Sequence, residues 1–357
     1  MGTTALVTGA NGFVGSHLVE LLQDRGDLPY AMVRKTSNVD NLKGRSVEYR
    51  YADVTDLDSL RAAMEGVEIV YHVAGATAGW TEEDFDRVNK TGTENILDAA
   101  RTTTNGPRRV VLMSSLAAAG PCSADEGRRE FHAADQITPY GRSKFRGETA
   151  AKKAAASGDI EVVIVRPPTV YGPRDTEVLQ LIQAANWGIV ATQGTKPLWM
   201  SVVHPHDLCR GTVLAAERGA PLPAGDDGHV LDGGGLAFPE SADPSHDAGR
   251  GIYYLTDGGR YTLEEFGRAA ATALGKKAMK LAIPKPIVWV GAWFNELGGR
   301  MKGRAPVFSR NKVVEADVPG WMCEIDKART ELEFRPEMEL ADGMEQTVRW
   351  LRDHSVI

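Results

Sequence analysis

Cysteine is scarce in this chain. Only Cys122, Cys209 and Cys323 occur in 357 residues, far apart and odd in number. No C-x-x-C pair and no even-numbered framework can be built from them. That excludes a disulfide-stapled fold and makes a reducing compartment the default. Long apolar runs are also lacking, so no stable membrane insertion is expected. There is no excess of positive charge: the net charge is −7, which speaks against a nucleic-acid partner. The chain enters an apolar stretch directly, with no basic n-region or cleavage site, so no signal peptide is expected. A small-molecule partner and a cytoplasmic location follow as expectations. No internal repeat or low-complexity tract stands out.

What is present is ordinary globular composition, 42% hydrophobic and 25% charged. The length suffices for a sizeable core and two lobes. Near the N-terminus, Thr4-Ala5-Leu6-Val7-Thr8 reads as a strand, and Phe13 to about Gln23 as a helix. Between them Gly9, Gly12 and Gly15 are spaced G-x-x-G-x-x-G. The first glycine permits a tight turn, the second lets a pyrophosphate approach the backbone, and the third lets helix and strand pack closely. Amides at the helix start then face phosphate. The motif points to dinucleotide binding.

Apolar strands alternate with helices up to Arg166, which predicts a doubly wound α/β fold with a parallel sheet covered on both faces. Strands are predicted at 30–33, 47–50, 68–73, 109–113 and 161–165, and helices at 56–64, 85–101 and 139–156. A dinucleotide-binding Rossmann domain is expected over 1–172, with 200–217 and 252–257 returning to it. A smaller substrate lobe takes 173–199 and 258–357, and 218–251 reads as a long surface loop rich in Gly, Pro, Asp and Ser. Thr262 and Glu265 carry the spacing of a capping box.

The second strand ends in Arg34-Lys35-Thr36-Ser37, where this fold meets the adenosine ribose. A basic residue there suits a 2′-phosphate. Arg34, helped by Lys35 and Ser37, therefore favours NADP(H) over NAD(H). Tyr140 and Lys144 lie four apart on a predicted helix and share a face. An ammonium near a phenol pulls its pKa toward working pH, which makes Tyr140 a candidate general acid/base. Ser115 stands at the end of the fifth strand, where a hydroxyl can donate to a developing oxyanion. Ser115, Tyr140 and Lys144 are the candidate catalytic set.

With these pieces in place the chain resembles the extended short-chain dehydrogenase/reductases over nearly its whole length. The matching segments are Thr8 to Gly15, Asp53-Val54, His72-Val73-Ala74-Gly75, Asn89 with Gly92, Ser114-Ser115, Tyr140 with Lys144, Arg166-Pro167 through Pro173, and Val203-His204 to Asp207-Leu208. The resemblance implies that the cofactor lies against the loop residues Gly9, Asn11, Gly12, Phe13, Val14 and Gly15. Asp53 and Val54 would meet adenine. Val73, Ala74, Gly75, Asn89 and Ser114 would line the cofactor's path, Lys144 would hold the nicotinamide ribose beside Tyr140, and Pro167 and Val170 would lie by the nicotinamide. Related enzymes often dimerise, so a homodimer is implied.

Within that family, the segments after the second and fifth strands look most like the branch of 3β-hydroxysteroid dehydrogenases and dihydroflavonol reductases. The implied reaction is hydride transfer between nicotinamide and a carbonyl or secondary alcohol of a fairly apolar substrate. Thr77, Trp80, Trp187 and Trp199 are candidates for its pocket. A nucleotide-sugar epimerase is the alternative, and a dinucleotide-sensing regulator the alternative from another class. Leu116 and Ala117 replace the acid pair of the dehydratases. No metal is expected, although His204, His206, Asp207 and Cys209 cluster, because Pro205 interrupts them. The helical spacing of Val290, Trp293, Phe294, Leu297 and Met301, with Trp289 beside them, admits three readings: core packing, a pocket wall, or a membrane-surface patch.

Overall fold

The computed structural model describes residues 2–225 and 249–357, apart from 302, 304 and 307. Most of the expected 218–251 loop falls outside the described residues. The first half alternates strand and helix: β1 (Thr4–Thr8), α1 (Phe13–Asp24), β2 (Leu28–Val33), β3 (Glu48–Tyr51), α2 (Leu57–Met64) and β4 (Ile69–His72). It continues with α3 (Glu82–Asp86), α4 (Gly92–Thr102), β5 (Arg109–Met113), α5 (Pro139–Ala156), β6 (Glu161–Arg166) and β7 (Thr169–Val170). The second half comprises α6 (Leu179–Asn186), β8 (Ile189–Gln193), β9 (Trp199–Met200), β10 (Val202–Val203), α7 (Pro205–Arg218) and β11 (Ile252–Tyr254). After these come β12 (Tyr261–Thr262), α8 (Leu263–Ala273), β13 (Met279–Ile283), α9 (Lys285–Met301), α10 (Arg310–Glu315), β14 (Gly320–Trp321), α11 (Asp326–Glu331) and α12 (Leu340–Asp353).

Seven strands form one parallel sheet in the order β11-β6-β5-β4-β1-β2-β3. All of β4 and β5 and most of β1 and β6 are buried, as a sheet covered on both faces requires. Two apolar clusters lie on its faces, and a third, around Tyr171, Ile182, Phe266 and Met344, forms the core under α6, α8 and α12. The strand order reverses between β1 and β4, so the crevice for a ligand opens at their carboxyl ends.

Local chemistry explains the boundaries. Asp56 caps α2 by accepting from the Ser59 amide, and Thr262 with Glu265 forms a complete capping box on α8. Thr138 caps α5, whose first position is Pro139. The single helix expected over 85–101 is instead broken. A capping box at Thr81 and Asp84 starts α3, and a π-helical turn at Arg87–Thr91 separates it from α4. That turn holds Asn89, whose side-chain amide donates to the Ala76 carbonyl and the Ser143 hydroxyl and accepts from the Ala76 amide. The extra residue in the turn aims Asn89 into the space between β4 and α5.

Candidate active site

The glycine turn is shaped by close approach. Gly9 has φ +63°, a left-handed conformation, and a side chain there would strike Ala74. A Cβ on Gly15 would lie 2.2 Å from the Gly9 carbonyl oxygen. The Gly12 amide closes the turn onto that same oxygen at 2.9 Å. Gly12 is the exposed N-cap of α1, with no side-chain cap and no acid in the first turn. The amides of Phe13 and Val14 therefore open α1 without a competing anion. Asn11 is occupied structurally: its side chain donates to the Asn38 carbonyl, and its own carbonyl accepts from Asn41.

At the end of β2, Arg34 and Lys35 are exposed, and the Arg34 amide donates to the Ser37 hydroxyl. Asp53 accepts from the Thr55 amide and hydroxyl, and these bonds, with help from Arg34 and Arg87, hold its carboxyl below the usual range. Val54 is buried against Gly92. Gly75 is exposed over the crevice, and a Cβ on it would come within 3.3 Å of Lys144 Nζ. Val73 and Ala74 form the same strand-end loop. Pro167 lies one strand over, its carbonyl accepting from the Leu116 amide, and Val170 pairs with Val203 in the two-stranded β7–β10 ribbon. Open helix amides, two glycine positions that exclude side chains, and basic groups at the end of β2 make a cradle that fits a dinucleotide.

Under this cradle runs a buried polar chain. The Ala74 amide donates to Thr8 Oγ1, which lies 2.9 Å from His72 Nδ1. His72 Nε2 lies 3.2 Å from Thr93 Oγ1, which donates to the Asn89 carbonyl. Thr93 commits its proton to the Asn89 carbonyl, so Nε2–H donates to Thr93. Burial keeps the imidazole neutral, pushing the His72 pKa down to about 3, and in that form Nδ1 accepts from Thr8.

The candidate catalytic side chains converge at the ends of β5 and α5. Ser115 lies close enough to the Tyr140 phenol to favour its ionised form, the Ser115 hydroxyl accepts from the Ala117 amide, and Lys144 Nζ donates to the Met113 carbonyl at 2.7 Å. One turn further along α5, Glu148 is completely buried. It is paired to Arg166 at 2.6 Å and 2.8 Å and accepts from the Ser114 hydroxyl. Arg166 in turn donates to Tyr254 Oη. Burial lowers the Lys144 pKa to about 8, against the pull of Glu148. Burial raises Tyr140 to about 12, partly offset by Ser115 and by Lys312. For Tyr140, burial outweighs the charges nearby, and Lys144 is not among the groups that move it most.

Two contributors were not anticipated. Glu148 completes Tyr140-x-x-x-Lys144-x-x-x-Glu148, a helical spacing that was visible in the sequence. Lys312, on α10, acts on Tyr140 through its charge and pairs with Glu315 at 3.0 Å and Glu177 at 3.9 Å. Burial alone would lower its pKa, but these carboxylates raise it. No local signal marks a lysine that reaches the site from so far along the chain.

Beside Pro139 lies a cavity of about 300 Å³, lined by Trp80, Phe85, Trp289, Glu296, Arg300 and Arg310 among others. Its rim is tied to α5 by Glu82, which pairs with Arg142 and Arg146. Of the four expected pocket residues, Trp80 lines it. Thr77 is exposed nearby in the chain but outside the lining. Trp187 is 84% exposed, and Trp199 sits in β9 between β12 and β14, so neither takes the expected place. The core-packing reading of 287–301 is also corrected. Ala292 is the buried residue of α9, and its large apolar side chains are exposed. Among the described residues, His206, Asp207 and Glu337 approach one another as a metal site would. Asp207, however, already accepts from Arg210 and from the Glu337 and Met338 amides.

Sheet order and glycine cradle together define a Rossmann-type dinucleotide-binding protein, with the candidate residues Ser115, Tyr140 and Lys144 at the strand ends. The chain belongs to the NAD dependent epimerase/dehydratase family, whose sequence pattern matches residues 5–229, and it is an extended short-chain dehydrogenase/reductase. It is 28% identical over 346 residues to a ceramide reductase of Caulobacter vibrioides, covering 97% of this chain and 93% of that one. It is 27% identical over 351 residues to a 3 beta-hydroxysteroid dehydrogenase/Delta 5-->4-isomerase of Mycobacterium tuberculosis, covering 93% and 85%. The crystal structure of gox2253 superimposes with a TM-score of 0.75 at 26% identity and covers 99% of each chain.

Proposed function

We propose that this protein is an NADP(H)-preferring reductase or dehydrogenase acting on a carbonyl or secondary alcohol of an apolar substrate. The observation that carries the proposal is Tyr140 set near Ser115 and packed edge-on against Phe85 of the Trp80–Trp289 cavity, with Lys144 one turn further along α5. When bound, the nicotinamide supplies or accepts the hydride. Ser115 and Tyr140 hydrogen-bond the substrate oxygen, so the charge that develops there is met by two fixed donors. Tyr140 gives its proton to that oxygen, or takes it back in the oxidative direction. Lys144, fixed to the end of β5, holds the ribose. Arg166, through Glu148, keeps α5 and β5 in register beneath it. Trp80, Phe85 and Trp289 exclude water from one side of the substrate.

The cofactor preference rests on Arg34 and Lys35, two exposed cations at the end of β2. Arg34→Ala should lower kcat/KM with NADPH by about tenfold, the worth of roughly 1.4 kcal/mol, while leaving NADH nearly unchanged. Equal losses with both cofactors would defeat the assignment. The substrate is tested by screening hydroxysteroids, flavonols, long-chain ketones and UDP-sugars with both cofactors. Turnover confined to UDP-sugars would replace the proposal with an epimerase, and turnover of nothing by a chain that binds NADPH would favour a sensor.

A further inference from the structure

Helix α9 is built the wrong way round for a helix in water. Of the sixteen exposed large hydrophobic side chains among the described residues, seven lie on its 17 residues: Ile287, Trp289, Val290, Trp293, Phe294, Leu297 and Met301. At 100° per residue, Ile287, Val290, Phe294, Leu297 and Met301 fall on one stripe, with Trp293 and Trp289 on its flank. Phe294 is 61% and Met301 85% exposed. Stripes of this size on a protein surface mark an interaction site.

Charge selects the partner. The single acid of α9, Glu296, is turned inward, where it accepts from the Arg310 amide and guanidinium. The charges that α9 shows to solvent are Arg300 and Lys285, of which Lys285 pairs with Asp317. The strand β13, which leads into it, exposes Met279 and Leu281 alternating with Lys280, whose ammonium pairs with Glu264 at 2.9 Å. Hydrocarbon bounded by cations, with tryptophans at the flank, suits the headgroup boundary of an anionic bilayer. The stripe is also continuous with the cavity, because Trp289 and Arg300 belong to both the helix flank and the cavity lining. No helix among the described residues is long and apolar enough to cross a membrane, so the contact is with one surface.

We infer that α9 docks this protein on an anionic lipid bilayer, with Val290, Phe294 and Leu297 entering the headgroup boundary and the mouth of the cavity turned toward the lipid. The inference does not rest on hydride transfer, since docking is read without substrate. The test is flotation of the full-length protein with phosphatidylcholine vesicles, with and without phosphatidylglycerol. The wild type should float with vesicles, more strongly when phosphatidylglycerol is present and less in high salt. The triple variant Val290→Ser, Phe294→Ser, Leu297→Ser should partition at least about tenfold less. Its thermal midpoint and NADPH affinity, measured alongside, should stay at wild-type values, since none of the three residues lines the cavity. No flotation of the wild type, or undiminished flotation of the triple variant, would overturn the inference. So would a wild-type dimer that the triple variant dissociates, because the stripe would then be a protein–protein seam.

Discussion

Helices α5 and α9 border the same cleft and are almost equal in length, 18 and 17 residues, yet each inverts the usual sorting of residues in its own way. Helix α5 buries Ser143, Lys144 and Glu148. Helix α9 exposes most of its hydrocarbon. The first inversion is stable because each buried polar group has a partner: Lys144 has the Met113 carbonyl, and Glu148 has Arg166 and Ser114. The second is tolerated because an exposed apolar side chain costs little in the folded state relative to the unfolded one. The chemical wall of the site is thus over-determined by its surroundings, and the opposite wall is held mainly through Glu296–Arg310, Asn295 and Lys285. One wall is pinned by buried polar pairs, and the other presents its apolar side chains to solvent.

The contrast breaks most readily at Tyr140. Tyr140→Phe should lower kcat by roughly 10²- to 10⁴-fold on any substrate the screen identifies, with little change in thermal midpoint. Near-normal turnover in this variant would remove the chemistry from α5. Next comes Glu148→Gln, which leaves the Arg166 guanidinium buried without its counter-charge. Urea unfolding should show a loss of about 3–5 kcal/mol; a loss under about 1 kcal/mol would mean that the pair is not buried as described.

His72 predicts a smaller, graded effect. Its folded pKa, about 3, lies below the ordinary 6.5 because burial disfavours the imidazolium. The unfolded chain therefore binds more protons between those values, and the stabilisation is complete above pH 6.5 and falls as pH drops. The slope is about 1.4 kcal/mol per pH unit. His72→Asn should flatten the dependence of the urea midpoint between pH 6.5 and 5, and an identical slope in the variant would assign it elsewhere. The smallest effect belongs to the other wall. Phe294→Ser, on the exposed stripe, should change stability by no more than about 0.5 kcal/mol. A loss comparable to that of a core phenylalanine would show that the stripe is covered in solution.

The two helices also differ in how far they could be read from residues alone. For α5, Pro139 at the first turn and the i, i+4 spacing of Tyr140 and Lys144 are local features that indicate both the helix and the face the two residues share, and Thr138 completes it as cap in the structure. Glu148 continues the same spacing, but a carboxylate on a helix is usually solvated; only Arg166, brought in from β6, makes it a buried partner. For α9 the period of the apolar residues was plain, and the inference drawn from it was open. A 3.6-residue period defines a stripe without saying what covers it. Trp187 and Trp199 lie outside the lining of the Trp80–Trp289 cavity for a related reason: aromatic character favours burial or contact but does not indicate which cavity is near.

By itself, then, the sequence determined the alternation of strand and helix, the glycine turn, the helix caps and the faces on which Tyr140 and Lys144 lie. All of these follow from backbone sterics and from contacts within a turn or two of chain. The tertiary structure alone decided that the Asn89 turn is π-helical, that Glu148 is neutralised by Arg166, that Lys312 reaches Tyr140, and that the stripe on α9 faces outward. Each of these depends on which distant segments the sheet order brings together, and that arrangement is settled by the packing of the whole chain.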